Sequence, residues 1–380
     1  MRTGLLLNSV DPGIGGILIS GHKGTGKSTA VRALADILPE IAVVKDCPYL
    51  CSPSDENTMC IDCTQKLREG KNLPTMMRSM PLVELPLNAT EDRVVGTLNI
   101  EQAFKTWESK FEPGLLAAAN RGILYVDEVN LLNDHIVDIL LDSAASGVNV
   151  VEREGISYVH PARFILVGTM NPEEGELRPQ FLDRFGLSLT VSSTNDPTLR
   201  QHIVTRRIAF DEAPEAFVSR YGENEKIVSD HVLEARNRIH DISTPQEMIG
   251  LAVNLSAEVG AQGHRADIAI VKTARALAAL LEDEVVRPNH IFEAARYVLP
   301  HRISNVLLAT AENIEKKLED TLAKYDNSGT AEEKSDNNEN GEEDWDDFSE
   351  QVPGSTAASN VDMLFSFLEE KKKLSLMPMN

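Results

Sequence analysis

The octapeptide Gly21-His22-Lys23-Gly24-Thr25-Gly26-Lys27-Ser28 constrains this chain more than any other stretch, because it fits G-x-x-x-x-G-K-[ST]. Ahead of it, Gly16-Ile17-Leu18-Ile19-Ser20 is a short apolar run suited to a buried strand. Behind it, Thr29-Ala30-Val31-Arg32-Ala33-Leu34-Ala35 reads as a helix. Strand, glycine-rich loop and helix, in that order, are what phosphate binding requires. Glycines let the backbone wrap an anion with its N–H groups turned inward, and the helix N-terminus adds partial positive charge. Residues Gly21 to Thr29 are therefore assigned to ATP. Lys27 is placed to reach the β- and γ-phosphates, and Ser28 to give an oxygen ligand to Mg²⁺. A chance glycine-rich turn would leave the flanking strand and helix unexplained.

About 100 residues further on, Gly122-Ile123-Leu124-Tyr125-Val126-Asp127-Glu128 is an apolar run ending in two carboxylates. An aspartate at the end of a strand beside a P-loop can hold the same Mg²⁺ as Ser28, which assigns Asp127 to the metal. Glu128, one residue on, is placed to orient or deprotonate the attacking water. Asn171 follows another apolar run, Ile165–Thr169, and can sense the γ-phosphate; an Asn before a proline is also a common turn residue. Arg184 is a candidate arginine finger offered to a neighbouring subunit, and Arg265 a candidate phosphate contact from a later helix.

The strand candidates Gly16–Ser20, Leu82–Leu85, Gly122–Val126, Arg163–Thr169 and Gly186–Val191 alternate with helical patterns, which predicts a parallel sheet with helices on both faces. A helix carrying Phe104, Trp107 and Phe111 is expected after Gly96. Asn133 should cap a helix that stops at Gly147, and Val148–Val159 reads as a hairpin. The expected organisation is an α/β core at 1–194 with a Cys-rich insertion at 40–80, then an all-helical domain at 195–325. Ile268, Val271, Ala274, Leu277, Ala278 and Leu281 mark one of its helices; Pro288 opens the next. An acidic linker expected to be disordered follows at 326–360, and a tail able to form a short helix at 361–380.

Charge narrows the function classes. The net charge of −22 argues against a nucleic-acid binder, which needs cationic surface to displace counterions. From Asp326 to Glu350 eleven carboxylates face one lysine, so this segment carries about −10 of the −22 and leaves the remainder only moderately acidic. No apolar run is long enough for a membrane span, and the N-terminal apolar stretch is too short for a secretory signal, so a soluble cytoplasmic protein is expected.

All four cysteines fall between Cys47 and Cys63, spaced C-x₃-C-x₈-C-x₂-C. That is a local feature rather than a disulfide framework for the fold. A tetrahedral zinc site, a redox-active thiol pair, an iron–sulfur cluster and four free thiols all stay open on spacing alone.

From Leu5 to about Arg302 the sequence resembles the ATPase (I) subunits of the magnesium chelatases, within the AAA+ superfamily. The residues that carry the resemblance are Asn8-Ser9-Val10-Asp11-Pro12-Gly13-Ile14-Gly15-Gly16, the P-loop, and Leu85-Pro86-Leu87-Asn88-Ala89-Thr90-Glu91-Asp92-Arg93-Val94-Val95-Gly96. It continues through Phe111-Glu112-Pro113-Gly114-Leu115-Leu116-Ala117-Ala118-Ala119-Asn120-Arg121-Gly122 and on to Gly186. The resemblance implies an AAA+ core with a helical lid. It matches Lys27 to the Walker A lysine, Asp127 and Glu128 to Walker B and Asn171 to sensor 1. Arg184 matches the trans arginine finger, and Arg265 sensor 2. It further implies a homo-oligomeric ring, usually hexameric, working with a second AAA+ subunit that carries an integrin-type domain. ATP hydrolysis would then drive a large porphyrin-binding subunit to insert Mg²⁺ into protoporphyrin IX, toward chlorophyll and bacteriochlorophyll. Close relatives insert cobalt in corrinoid synthesis, and MoxR-like chaperones remodel other metalloproteins.

Segments near Ile100–Phe111 and Val148–Val159 face partners or the ring pore in that family. Three departures stand out. A family segment ending in Gly-Gln ahead of Leu5, near the adenine, is absent here, which implies either a start codon set too late or weaker nucleotide binding. The acidic stretch after Tyr325 resembles the partner subunit's linker without the domain that follows it. No porphyrin site is identifiable.

Overall fold

The computed structural model describes residues 1–99, 110–153, 156–261 and 263–302 of the chain. The expected linker at 326–360, the tail at 361–380 and residues 100–109 lie outside the described residues. Helix α1 (Arg2–Val10) leads to strand β1 (Ile17–Gly21), and α2 (Lys27–Ile37) follows the P-loop. The Cys-rich stretch contributes β2 (Ile41–Val44), α3 (Ile61–Arg68) and β3 (Thr75–Arg78). Next come β4 (Leu82–Glu84), α4 (Glu91–Val95), β5 (Gly96–Asn99) and β6 (Lys110–Pro113). Phe111, expected on a helix, lies instead in β6, paired with Leu98 of β5. Beyond them run α5 (Leu115–Ala118), β7 (Ile123–Val126), α6 (Asp134–Ser146), the strands β8 (Val148–Arg153) and β9 (Ile156–Pro161), β10 (Ile165–Met170), α7 (Pro179–Leu182) and β11 (Leu187–Val191).

Five of these strands form one parallel sheet in the order β11-β1-β10-β7-β4. Every residue of β7 and β10 is buried, as both faces of a covered parallel sheet demand, and this explains their unbroken apolar sequences. Ile17 and Ile19 are fully enclosed, each contributing about 1.5–3 kcal/mol by burial. Because β1 lies between β10 and β11, the loops leaving β1, β7 and β10 open along one edge of the sheet. Ligands bind at that carboxyl edge in open α/β sheets.

Local chemistry sets the helix ends. Asn133 Oδ1 accepts from the His135 N–H at 3.0 Å and caps α6, as the sequence predicts. The helix stops at Gly147, where φ is +73° and an added Cβ would lie 2.9 Å from Arg163 Cγ. β8 and β9 pair antiparallel, with Val148 opposite Pro161. The stretch 40–80, which shows little periodicity, is nonetheless built: β2 and β3 pair antiparallel and close it at both ends.

From Pro197 onward the chain is helical: α8 (Pro197–Glu212), α9 (Pro214–Arg238), α10 (Gln246–Glu258), α11 (Arg265–Leu280) and α12 (Pro288–Val298). In α12, Ile291, Ala294, Ala295 and Val298 are all buried, as their spacing predicts. In α11 the buried stripe runs through Ile270, Ala274 and Leu277. Ile268, expected on that face, is 56% exposed. Helix α1 packs between the sheet and these helices. Its Gly4 has no room for a side chain, since a Cβ would stand 2.8 Å from Ile17 Cδ1 and 3.0 Å from Leu189 Cδ2. Among the described residues no helix is long and apolar enough to cross a membrane.

Candidate nucleotide site

The P-loop turns on two left-handed glycines, Gly24 (φ +78°) and Gly26 (φ +79°), with open space around both. Conformation, rather than room, selects glycine there. Helix α2 starts at Lys27, so its free N–H groups and positive dipole end face the loop. Lys27 Nζ bridges the loop, donating to the carbonyls of Gly21 (2.5 Å) and His22 (2.9 Å). Opposite, the turn after Asn171 brings Glu174 onto Lys23 and Glu173 to 3.4 Å from His22. The Glu174 hydrogen bond and charge raise the Lys23 pKa.

Asp127 stands just beyond the end of β7. Tyr125 precedes it by two residues, hence on the same side of the strand, and its hydroxyl donates to Asp127 Oδ1 at 2.8 Å. The same hydroxyl lies 2.9 Å from Ser28 Oγ. From the next strand, Thr169 Oγ1 donates to Asp127 Oδ1 at 2.5 Å. Burial pushes the Tyr125 phenol further up, so it stays protonated as a donor. Tyr125 and Thr169 are missing from the residue set read off the sequence. The usable signal was the two-residue spacing of Tyr125 and Asp127; nothing local marks Thr169.

Glu128 has φ +54°, a left-handed conformation that costs a non-glycine residue about 1–2 kcal/mol. Its N–H reaches Thr169 Oγ1 at 3.3 Å, which helps hold the bend. The bend takes the Glu128 side chain out of the strand alternation, and strain of this kind concentrates at functional sites.

Lys27, Ser28, Asp127, Glu128 and Asn171 line one cavity of about 340 Å³. A cradle of backbone N–H groups and one ammonium suits a polyphosphate, and a hydroxyl beside a carboxylate suits a hard divalent cation. The residues present therefore fit Mg²⁺-nucleotide. A roomier cavity, about 550 Å³, is lined among others by Arg121, Arg163, Arg236 and Arg275, and shares none of these residues. Arg121, Arg236 and Arg275 are bonded to backbone carbonyls, and the lining carboxylate, Asp11, accepts from the Gly13 N–H at 2.8 Å.

Asn171 is buried at the end of β10. Its Oδ1 caps the following turn through the Glu173 N–H at 3.3 Å, so Asn171 is a turn residue that also lines the cavity. Arg184 lies outside the cavity: its Nη1 pairs with Asp142 at 2.6 Å and Asp138 at 3.2 Å on α6. Arg265, at the start of α11, pairs with Asp183 at 2.9 Å, and Arg302 donates to the carbonyls of Asp183 and Phe185. The two arginines thus flank one pinned segment apart from the P-loop.

Residues 10–180 match the family described as magnesium chelatase, subunit ChlI, and residues 249–322 match the AAA lid domain. A magnesium-chelatase subunit ChlI homolog of Methanocaldococcus jannaschii is 47% identical over 325 residues, 86% of this chain and 88% of that protein. The chain belongs to the magnesium chelatase ChlI family. The chloroplastic ChlI subunit of Nicotiana tabacum is 50% identical over 303 residues, 80% of this chain and 71% of its own length. A solved putative ATPase from Cytophaga hutchinsonii, 19% identical, covers 83% of this chain and 87% of its own with a TM-score of 0.53, and shares the fold. ChlI-family membership and the sheet order agree: this is an AAA+ α/β core followed by an all-α lid.

Proposed function

We propose that this ChlI-family chain is the ATPase subunit of a tetrapyrrole chelatase, coupling ATP hydrolysis to the insertion of Mg²⁺ into protoporphyrin IX. One observation carries the ATPase part: the Tyr125 hydroxyl ties Ser28 of the P-loop to Asp127 of the carboxylate pair. The N–H groups of 23–28 and Lys27 Nζ would bind the β- and γ-phosphates, and Ser28 and Asp127 would hold Mg²⁺. Bound there, the ion supplies charge neutralisation on the phosphate oxygens. Glu128 would orient the attacking water and accept its proton as the bond to the γ-phosphorus forms and the bond to the ADP oxygen breaks. Asn171 would hold that water, while Arg184 of a neighbouring subunit and Arg265 of the lid would offset the growing charge. The functional units in this reading are a core at 1–194 and a lid at 195–325.

The chelatase part rests on family membership, which also implies a hexameric ring, an integrin-domain AAA+ partner and a large porphyrin-binding subunit. Leu199, Ile203, Val204 and Ile208, all exposed on α8, supply apolar surface of the kind that assembly covers. The test is affinity capture from native extract with Glu128→Gln chain and ATP, followed by mass spectrometry. Recovery of the porphyrin-binding subunit with the integrin-domain ATPase is expected. Recovery of the integrin-domain protein with an unrelated metalloenzyme instead would reassign the chain to a metalloprotein chaperone.

A further inference from the structure

The four cysteines converge. Cys47 and Cys51 lie in the loop after β2, Cys60 caps α3 and Cys63 sits in its first turn. Their sulfurs all lie within 4.8 Å of one another, and Cys47 Sγ is 3.8 Å from Cys60 Sγ. Cys51, Cys60 and Cys63 are buried, and Cys47 partly so. We propose that Cys47, Cys51, Cys60 and Cys63 bind one structural Zn²⁺ ion as four thiolates, and that this ion clips the insertion and anchors the β8–β9 strands.

The geometry selects a single ion. Four sulfurs at about 2.3 Å from a tetrahedral Zn²⁺ stand about 3.8 Å apart. A disulfide brings its sulfurs to about 2.05 Å, far closer than the Cys47–Cys60 pair. A multi-iron cluster distributes its thiolates over several irons and needs a wider cage than one where all four sulfurs are mutual neighbours. The surroundings suit thiolates as well. The Cys60 N–H donates to Cys51 Sγ at 3.1 Å, and the N-terminus of α3 points its dipole at Cys60 and Cys63.

Two further features call for a staple. The loop bends at Asp46 (φ +63°) and Leu50 (φ +49°), left-handed conformations that non-glycine residues keep only where something over-determines them. The local core is also too small to hold the insertion. It consists of Val44, Tyr49, Cys51, Cys60, Cys63 and Ala117, so half of it is cysteine, and β3 is exposed along its whole length. Metal binding to such a segment is itself folding free energy.

What the clip holds is Tyr49, between its first two ligands. The Tyr49 carbonyl accepts from Asn120 Nδ2 at 2.5 Å, and Arg121 Nη1 donates to the Leu50 carbonyl at 3.2 Å. The Tyr49 ring stacks on His160 with centroids 5.0 Å apart, and its hydroxyl is 3.0 Å from that of Tyr158. Tyr158 in turn stacks on Phe111 of β6 at 4.2 Å. The zinc therefore fixes one end of a stack that reaches both β9 and β6.

The test uses the full chain, purified without chelators from zinc-supplemented culture. Elemental analysis should find about one zinc per chain. A mercurial thiol reagent should release that zinc in step with cysteine modification. Cobalt exchanged for zinc should show the intense visible bands of tetrahedral thiolate coordination. On zinc release, amide exchange in β8 and β9 should accelerate by about tenfold or more while β1 is unchanged. Cys51→Ser and Cys63→Ser should lose zinc; if they aggregate, the mercurial titration of the wild-type chain still decides. Stoichiometric iron, a Cys47–Cys60 disulfide, or four freely reacting thiols with no zinc would overturn the site. Unchanged exchange in β8 and β9 after zinc release would overturn the anchoring.

Discussion

Ser28, the second residue of α2, and Tyr125, in the middle of β7, meet hydroxyl to hydroxyl at 2.9 Å, which joins a helix and a strand 97 residues apart in the chain. The same Tyr125 hydroxyl donates to Asp127, so the P-loop serine and the strand-end aspartate share one hinge atom. Both are assigned to one cation, and they are tied together by a side chain that is not among the residues lining the cavity.

Tyr125→Phe isolates that hinge. The ring is 1% exposed and would keep its packing, while Asp127 keeps Thr169 as a donor. A hydrogen bond to a charged group contributes about 1.5–3 kcal/mol, so kcat for ATP should fall roughly ten- to a hundredfold with KM little changed. Steady-state ATPase assays over a Mg²⁺ series measure this. A wild-type kcat would show that Ser28 and Asp127 need no such tie.

Glu128 combines a strained backbone with a proposed base, and the two can be separated. Glu128→Gln and Glu128→Gly both remove the carboxylate, and both should bind ATP yet lose about a hundredfold or more in hydrolysis. Only glycine relieves φ +54°, so it should be the more stable of the two by about 0.5–1 kcal/mol. Urea unfolding of the pair reads that difference. Equal midpoints would mean that the bend carries no strain.

How legible the site is depends on whether its chemistry is local in sequence. The P-loop, Asp127 and Glu128 could be read because phosphate and Mg²⁺ demand fixed residue types at fixed spacing beside a strand. Thr169 could not, since a threonine in Ile-Leu-Val-Gly-Thr-Met is an ordinary strand former. It meets Asp127 only through the register that sets Gly168 beside Val126. The β2–β3 pair was hidden for a related reason: Val44 opposes Thr75 across a long polar stretch, and β3 buries nothing that periodicity could reveal. Phe111 misled because aromatic spacing resembles a helix face. Its neighbours Gly96 and Gly114 pack backbone to backbone, where an added Cβ at Gly114 would stand 2.4 Å from the Gly96 nitrogen. The cysteine spacing marked a site without choosing its occupant; the choice needed the distances.

Stability should fall on mild acidification, and His301 supplies a named part of that fall. Its Nε2 donates to the Phe185 carbonyl at 2.9 Å, and Nδ1 is enclosed without a partner. Burial first, then the Arg302 charge, pull its pKa from 6.5 down to about 3. The unfolded chain takes up this proton near pH 6.5 and the folded chain only near 3. Stability is therefore full above that range and declines as pH drops through it, by up to about 1.4 kcal/mol per unit. Burial lowers His160 and His290 in the same direction. Differential scanning at pH 7.5 and 5.5 should give a lower Tm at the acid value. His301→Gln, which keeps a donor toward Phe185, should shrink the gap; an unchanged gap would remove His301 from the account.

Arg184 sits outside its own subunit's P-loop cavity and pairs with Asp138 and Asp142, an arrangement that leaves its proposed catalytic role to a neighbour. The exposed pairing contributes little to stability, at most about 1 kcal/mol, so Arg184→Ala should fold normally. Complementation then distinguishes the two geometries. Lys27→Ala chains lack the ammonium proposed to bind phosphate and Arg184→Ala chains lack the proposed finger, so each alone should be inactive. Mixed in equal amounts, about a quarter of the interfaces combine an intact P-loop with an intact Arg184 from next door, and ATPase should recover in that proportion if the finger acts in trans. An arginine acting in cis gives no such interface, because every chain still lacks one of the two groups. Titrating the mixing ratio sharpens the test: trans action predicts a maximum at equal amounts and decline on both sides, whereas a flat baseline would return Arg184 to a purely local role beside α6.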